Sequence, residues 1–91
     1  MKVSVYSIEE TLFEGEAEKV IAKTPLGEIT VLDNHLPMVT SLIGPSLRVV
    51  DPTHKFMGGV DKIEEKSKVI ELSSGFLEVR PESEVVILKG A

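Results

Sequence analysis

The chain has 91 residues, of which 42% are apolar and 27% charged, with a formal net charge of −5. This length suits a single domain, and the composition argues against wholesale disorder. The lack of cysteine excludes disulfides, thiolate nucleophiles, Cys-type zinc sites and iron–sulfur clusters. Because a nucleic-acid surface needs clustered Lys and Arg, we expect no nucleic-acid partner. No apolar run approaches the roughly 20 residues that span a bilayer, so no direct membrane insertion is expected.

Short β-type segments separated by turn residues run through the whole chain. Val, Ile and Thr together outnumber Leu, Ala and Met, and branching at Cβ suits a pleated strand better than a helix. The predicted strands, in chain order, are residues 2–8, 11–15, 18–24, 28–32, 38–42, 47–50, 69–73, 76–80 and 85–89. Short strands with a turn signal about every eight to twelve residues predict an all-β sandwich or barrel, a single domain over residues 1–91.

Three segments between the strands carry turn signals or remain ambiguous. Residues 25–27 read Pro-Leu-Gly and predict a turn, because Pro presets φ and Gly allows positive φ. Residues 33–37 predict a loop. Residues 61–68 favour a helix by propensity but are too few for an isolated helix, so one helical turn and a charged hairpin arm both remain open.

The sequence offers no motif for catalysis or for cofactor binding. Ser-Ser-Gly at 73–75 lacks the flanks of a nucleophilic serine and predicts a turn between two strands. The glycine pair at 58–59 is not followed by Lys-Ser or Lys-Thr, which excludes a P-loop. His35 and His54 each have one aspartate nearby and no second histidine, too few ligands for a metal site. We therefore predict no catalytic residue, no cofactor and no metal.

The few aromatic residues divide into two groups. Tyr6, Phe13 and Phe76 fall in strand patterns and are predicted to fill the core. Phe56 lies with Met57 in the irregular segment beside the glycine pair. These two residues are expected either to fold back over one open end of the sandwich or to form an exposed apolar contact.

Three motifs then follow one another along the chain. They are Thr-Leu-Phe-Glu-Gly-Glu at 11–16, Gly-Glu-Ile-Thr-Val-Leu and Asn-His-Leu-Pro-Met-Val-Thr-Ser-Leu within 27–42, and Leu-Ser-Ser-Gly-Phe-Leu-Glu-Val-Arg-Pro at 72–81. In this order, and with Val-Val-Ile-Leu at 85–88, they resemble the N-terminal β-sandwich domain of the epsilon subunit of F-type rotary ATP synthases, called delta in mitochondria. The resemblance covers nearly the whole chain except residues 51–68.

The resemblance implies a fold and a function. The fold would be a flattened sandwich of two antiparallel sheets with about ten short strands. The function would be that of a non-catalytic central-stalk subunit, which binds the side of the gamma subunit and rests on the polar loops of the membrane rotor ring. It would couple gamma to the ring during proton- or sodium-driven ATP synthesis, as a peripheral component at the cytoplasmic side of the cell membrane.

The same motifs imply partner-binding residues in the His-x-Pro-Leu-Leu-Thr region of the family, which faces gamma or the ring. Leu36 and Met38 would supply apolar anchors there, and His35 and Thr40 a polar rim. The alternative is that Met38 and Val39 continue a core strand, which is our expectation for Val39.

Glu28 belongs to a Gly-Glu turn that, in the family, lies at the end facing the rotor ring. Its carboxylate would either pair with a basic ring loop or be an ordinary charged turn residue. The family's Pro-Gly-His is Asp-Asn-His here, and Asn34 can replace that glycine because Asn tolerates positive φ. The Pro-Gly that follows the His-x-Pro motif in the family appears here in reverse, as Gly44 and Pro45, so a different turn type is expected.

Two further departures concern chain length. Residues 51–68 are expected to contain an inserted loop or hairpin, since the chain between Val50 and Leu72 is longer than in typical members. Most bacterial members also continue into a C-terminal helical hairpin. If the chain ends naturally at Ala91, neither ATP binding nor hairpin-type inhibition is expected.

Two other classes of protein remain open from the sequence. One is a free-standing β-sandwich that binds a ligand or acts as an assembly module with no catalytic role. A carbohydrate binder would be expected to show exposed Trp or Tyr platforms, and the chain has no Trp and one Tyr. The other class is a small enzyme, which would need titratable groups converging in a cleft.

Overall fold

Eight β-strands make up the regular structure of this computed structural model, which describes residues 1–57 and 60–90 and the side chains of residues 1–51 and 67–90. The glycine pair at 58–59 lies outside the described residues, as do the side chains of Phe56 and Met57, for which two positions were predicted. The strands are β1 Lys2–Tyr6, β2 Thr11–Glu16, β3 Lys19–Thr24, β4 Gly27–Leu32, β5 Met38–Met57, β6 Val60–Glu71, β7 Ser74–Arg80 and β8 Glu84–Lys89.

The strands form one hydrogen-bonded sheet in the order β2-β1-β8-β7-β5-β3-β4, with β6 also paired to β5. All pairs are antiparallel except β1 with β8, which are parallel. Buried side chains from both ends of this strand order belong to a single core cluster, so the sheet folds over on itself. The first layer holds β2, β1, β8, β7 and the beginning of β5, and the second layer holds β6, β3, β4 and the remainder of β5. The predicted all-β sandwich is confirmed.

Strand β5 passes from the first layer into the second. Its residues 38–43 pair with β7, and from Ser46 onward it pairs with β6, while β3 lies along its other edge as far as Val50. The sequence predicted two strands separated by Gly44 and Pro45, but the chain crosses this point, through a cis peptide, without leaving the sheet. Backbone hydrogen bonds from Leu72 N to Pro45 O (3.0 Å) and from Gly44 N to Ser73 O (3.2 Å) tie the corner to the β6–β7 connection.

Beyond Val50, β5 and β6 continue as a two-stranded ribbon. The backbone register runs from Asp51 opposite Lys66 to Met57 opposite Val60. Residues 61–68, which the sequence left between a helical turn and a hairpin arm, therefore belong to a strand. Within the described residues this part of the ribbon has no third strand along either edge.

The core lies between the two layers and is built by alternation along each strand. Inward positions carry apolar residues that are almost fully buried, as in Val20 and Ala22, while Ile21 between them is only half-buried. Each fully buried Val or Leu contributes roughly 2 kcal/mol relative to an exposed one. The inward residues of the cluster are Val3, Val5, Val20, Ala22, Val31, Leu42, Leu47, Val49, Ile70, Leu77, Val79, Val85 and Ile87.

Gly75 occupies an inward position of β7 where the backbone of β8 approaches closely. A Cβ at this position would collide with the carbonyl oxygen of Leu88, which is backbone and cannot rotate away. We expect Gly75→Ala to lower the free energy of unfolding by about 1–3 kcal/mol, as measured by urea denaturation. Gly15→Ala is the matched control, because the new Cβ would lie 3.5 Å from Cζ of Phe13, an ordinary contact. Equal stability of the two variants would contradict this account.

Candidate functional site

The predicted partner-binding residues are not gathered in one place. Glu28 lies near the start of β4, whereas His35 and Leu36 follow the end of that strand. Since residues rise about 3.4 Å along an antiparallel strand, Glu28 and Leu32 are already about 14 Å apart. The structure therefore presents two candidate contact regions at opposite ends of the sandwich, the Glu28 turn (residues 24–28) and the 33–37 loop.

The Glu28 turn joins β3 to β4 as the sequence predicted. Gly27 has a φ of 127°, which a residue with a Cβ rarely adopts. The hydroxyl of Thr24 donates to the carbonyl oxygen of Gly27 (2.9 Å) and accepts from the backbone N–H of Leu26 (3.2 Å). Glu28 is exposed, opposite Lys23 in the strand register, and the side chain of Leu26 is fully exposed. A carboxylate and an apolar side chain are thus both available at this end.

The 33–37 loop places an apolar side chain in solvent. Asn34 has a φ of 62°, which confirms that this residue takes the positive φ expected of it. The backbone N–H of His35 donates to the carbonyl oxygen of Leu32 (3.2 Å) and closes the turn. The His35 ring places Nδ1 at 2.8 Å from the backbone oxygen of Leu36; because a carbonyl only accepts, Nδ1 carries the proton. The Leu36 side chain is 79% exposed.

Ser83, in the β7–β8 turn, contacts this loop although it lies 49 residues further along the chain. The backbone N–H of Asn34 donates to Ser83 Oγ (3.3 Å), and Ser83 Oγ lies 3.2 Å from Asn34 Oδ1. A hydrogen bond from Ser83, helped by the positive charge of the Met1 ammonium, lowers the pKa of the exposed Asp33 below its usual 3.8. Sequence motifs gave no indication of Ser83.

Removing the Ser83 hydroxyl should reverse the pKa shift of Asp33. In Ser83→Ala we expect this pKa to rise toward its usual 3.8, as followed by NMR titration of the carboxyl carbon. A lowered folded-state pKa means that the charged carboxylate stabilises the fold above its unfolded pKa, and that this contribution is lost as the pH falls through the folded pKa. Asp33→Asn should therefore lose less stability than the wild type on acidification below about pH 4. An unchanged Asp33 pKa in Ser83→Ala would contradict the assignment.

The start of β5 orients its residues differently from the sequence prediction. Met38 and Thr40 are half-buried, and Met38 packs against the core. Val39 was predicted to be a core residue, but its side chain is 68% exposed. The register explains the difference, because Met38 lies opposite the buried Val79 and Val39 opposite Glu78.

Aspartate substitutions at Met38 and Val39 test which of the two side chains faces the core. Met38→Asp would bring a charge against the core and should lower the free energy of unfolding by roughly 2–4 kcal/mol. Val39→Asp should change it by less than about 1 kcal/mol, because the side chain is mostly in solvent. Thermal and urea unfolding of both variants provides the measurement. Equal destabilisation by the two changes would mean that the register at this end of β5 is wrong.

An exposed set of apolar side chains covers the outer surface of the first layer. Phe76, predicted to lie in the core, is 60% exposed there, because Leu77 and Val79 take the inward positions of β7. Phe76 is directly opposite Leu88 of β8, which is 53% exposed, and opposite Ser41 of β5. We call this set the apolar face; its members are Val39, Ile43, Phe76 and Leu88.

The sequence contained a signal for this face. Leu-Glu-Val-Arg at 77–80 alternates strictly between apolar and polar residues, so Phe76 is expected on the same face as the polar Glu78 and Arg80.

Arg80 links the two strands of the β7–β8 hairpin. Its Nε donates to Glu78 Oε1 (2.8 Å) and its Nη1 to Glu84 Oε1 (3.1 Å). These hydrogen bonds to carboxylates raise the pKa of the Arg80 guanidinium.

Neither a metal cluster nor a membrane span is found in the part of the chain that the structure describes. No three His, Asp or Glu side chains come together there as a metal ion would need. No helix in those residues is long and apolar enough to cross a membrane.

Comparison with known sequences decides the family. The profile of the family described as "ATP synthase, Delta/Epsilon chain, beta-sandwich domain" matches residues 1–91. The chain belongs to this family. The ATP synthase epsilon chain of Exiguobacterium sp. strain AT1b is 35% identical over 89 residues, which are 98% of this chain and 57% of that protein. The epsilon chain of Shouchella clausii is 33% identical over 92 residues, 100% of this chain and 59% of that one.

Solved structures show the same architecture. A chain of the Euglena gracilis mitochondrial ATP synthase assembly of OSCP, F1 and c-ring superimposes with a TM-score of 0.71 and 25% identity, over 96% of this chain and 48% of that chain. A chain of the Tetrahymena thermophila central stalk and c-ring gives a TM-score of 0.70 over 99% of this chain and 63% of that chain; at 14% identity it supports the fold alone. The present chain thus spans little more than half the length of its curated relatives.

Proposed function

We propose that this domain is a non-catalytic component of the central stalk of an F-type ATP synthase and couples the gamma subunit to the membrane rotor ring. The observation that carries the proposal is the apolar face on a domain of this family. Exposed side chains of Phe76 and Leu88 lie directly opposite one another on neighbouring strands, with Val39 two residues beyond the position opposite Phe76. Contiguous apolar surface of this kind marks a site for a protein partner.

The apolar face is the surface proposed to bind gamma. Its exposed aromatic and aliphatic side chains provide anchors, and Ser41 and Glu78 among them provide polar contacts. The 33–37 loop lies beside the start of β5 and extends this surface with His35 and Leu36. Since Met38 packs against the core, Val39 takes the anchoring part first expected of Met38, and the half-buried Thr40 is left with a minor contact.

The opposite end of the sandwich is proposed to rest on the polar loops of the rotor ring. The exposed Glu28 offers a carboxylate for a basic loop, and Leu26 beside it offers an apolar contact. In this arrangement torque passes between ring and gamma through the sandwich, so that proton- or sodium-driven rotation supports ATP synthesis. The domain would then act as a peripheral component at the cytoplasmic side of the cell membrane.

Gel filtration with a purified, gamma-containing catalytic head tests the proposal. The wild-type chain should co-elute stoichiometrically at micromolar concentration, and Phe76→Asp should separate from the head because a charge would have to be desolvated in the interface. Val69→Asp is the matched control: Val69 is 56% exposed, close to the 60% of Phe76, but lies on the outer surface of the second layer, opposite Arg48.

The two variants give opposite results under the alternative geometry. If Val69→Asp separates and Phe76→Asp co-elutes, the second layer carries the interface and the apolar face does not. If the wild-type chain itself fails to co-elute, binding to gamma alone is refuted, and the free-standing binding module becomes the better hypothesis. Circular dichroism of each variant establishes that a loss of binding is not a loss of folding.

A further inference from the structure

Ser83 joins three separate segments at one end of the sandwich. Its carbonyl oxygen accepts from the backbone N–H of Lys2 (2.9 Å), at the start of β1. Its hydroxyl oxygen lies 3.3 Å from Asn34 N and 3.2 Å from Asn34 Oδ1, in the loop between β4 and β5. One residue of the β7–β8 turn therefore holds both the first strand and the 33–37 loop in place.

The Ser83 hydroxyl bonds to Asn34 in both directions. It accepts from the backbone N–H of Asn34 and donates its proton to Asn34 Oδ1. The carboxylate of Asp33, the preceding residue, competes for the same proton, and this interaction lowers its pKa.

The backbone around this hydroxyl is held in an unfavourable conformation. Asn34, Glu82 and Ser83 have φ angles of 62°, 66° and 56°, in the left-handed region that favours glycine. A glycine at position 83 would relieve the strain there but would remove the hydroxyl. Strained residues persist where the surrounding structure determines them, and such residues often lie at contact sites.

The bonds to Ser83 are the only hydrogen bonds described for residues 33–37 that reach a distant segment. The others, from His35 N to Leu32 O and between the His35 ring and Leu36 O, are local. The loop carries Leu36, whose side chain is 79% exposed and unsupported by the core. A loop fixed before binding gives up less conformational freedom on association than a mobile one.

We infer that Ser83 is a positioning residue, which preorganises the 33–37 loop so that Leu36 meets the gamma subunit; this rests on the proposed function. In Ser83→Gly the backbone keeps its φ and the hydroxyl is lost. The dissociation constant for the gamma-containing catalytic head should rise about fivefold to tenfold, equivalent to one or two hydrogen bonds. The His35 amide, which donates to the carbonyl oxygen of Leu32, should also exchange with solvent faster. Glu82→Gly is the matched control, since it relieves the neighbouring positive φ and spares the hydroxyl.

Three measurements on the full chain test the inference: the dissociation constant, amide exchange at His35 and the melting temperature. The expected result is weaker binding and faster exchange in Ser83→Gly, with Glu82→Gly within twofold of the wild type in both. Asn34→Gly keeps the backbone N–H that donates to Ser83 Oγ and removes only the amide side chain, so it should weaken binding less than Ser83→Gly does. The double variant Asn34→Gly with Ser83→Gly should be no worse than Ser83→Gly alone, because Ser83→Gly already removes both bonds.

Two results would overturn the positioning role while leaving the proposed function intact. One is faster exchange at His35 with an unchanged dissociation constant, which would place the loop outside the interface. The other is an equal rise of the dissociation constant in Ser83→Gly and Glu82→Gly that follows a fall in melting temperature. That result would mean that Ser83 only stabilises the fold. Failure of the wild-type chain to bind would instead refute the proposed function, and with it the role of Ser83 in binding gamma.

Discussion

Strand β5 is the element on which the rest of the structure depends, because it is hydrogen-bonded along both edges and belongs to both layers. The corner at Gly44 admits no side chain: a Cβ there would collide with the carbonyl oxygen of Leu72 in the β6–β7 connection. That close approach brings the end of β6 and the beginning of β7 side by side against one strand. The position of the apolar face, the core and both ends of the sandwich follows from this crossing.

Much of the fold could be predicted from local signals, and the exceptions lie where hydrogen bonding to another strand outweighed the local preference. Alternation identified the strands, and Pro-Leu-Gly at 25–27 and Asn34 identified turns that the structure contains. Gly44 and Pro45 predicted a break, because such residues usually interrupt strands; here the backbone bonds on either side keep the strand in the sheet. Residues 61–68 had helical propensity, which pairing with β5 overrode.

The candidate site was only partly predictable, since which face a strand residue occupies depends on its partner strand. Met38 and Val39 are both apolar, so alternation along the strand does not show which of them faces the core. The register against β7 places Met38 inside. At Phe76 the alternation of residues 77–80 indicated an outward side chain, but its size and apolar character favoured the prediction that it lies in the core. The contact between Ser83 and Asn34 joins residues 49 apart, and no local pattern encodes such a pair. The sequence motifs identified the 33–37 loop but not what holds it.

The chemical character of the apolar face has a consequence for temperature. An interface that buries mainly Phe76, Leu88 and Val39 is driven by the hydrophobic effect, and its formation is accompanied by a negative change in heat capacity. Hydrophobic association weakens on cooling, whereas exposed ion pairs are weakened chiefly by salt. A stalk joined through this face would therefore loosen toward freezing and tighten on warming, while changes in ionic strength would act mostly on the Glu28 end.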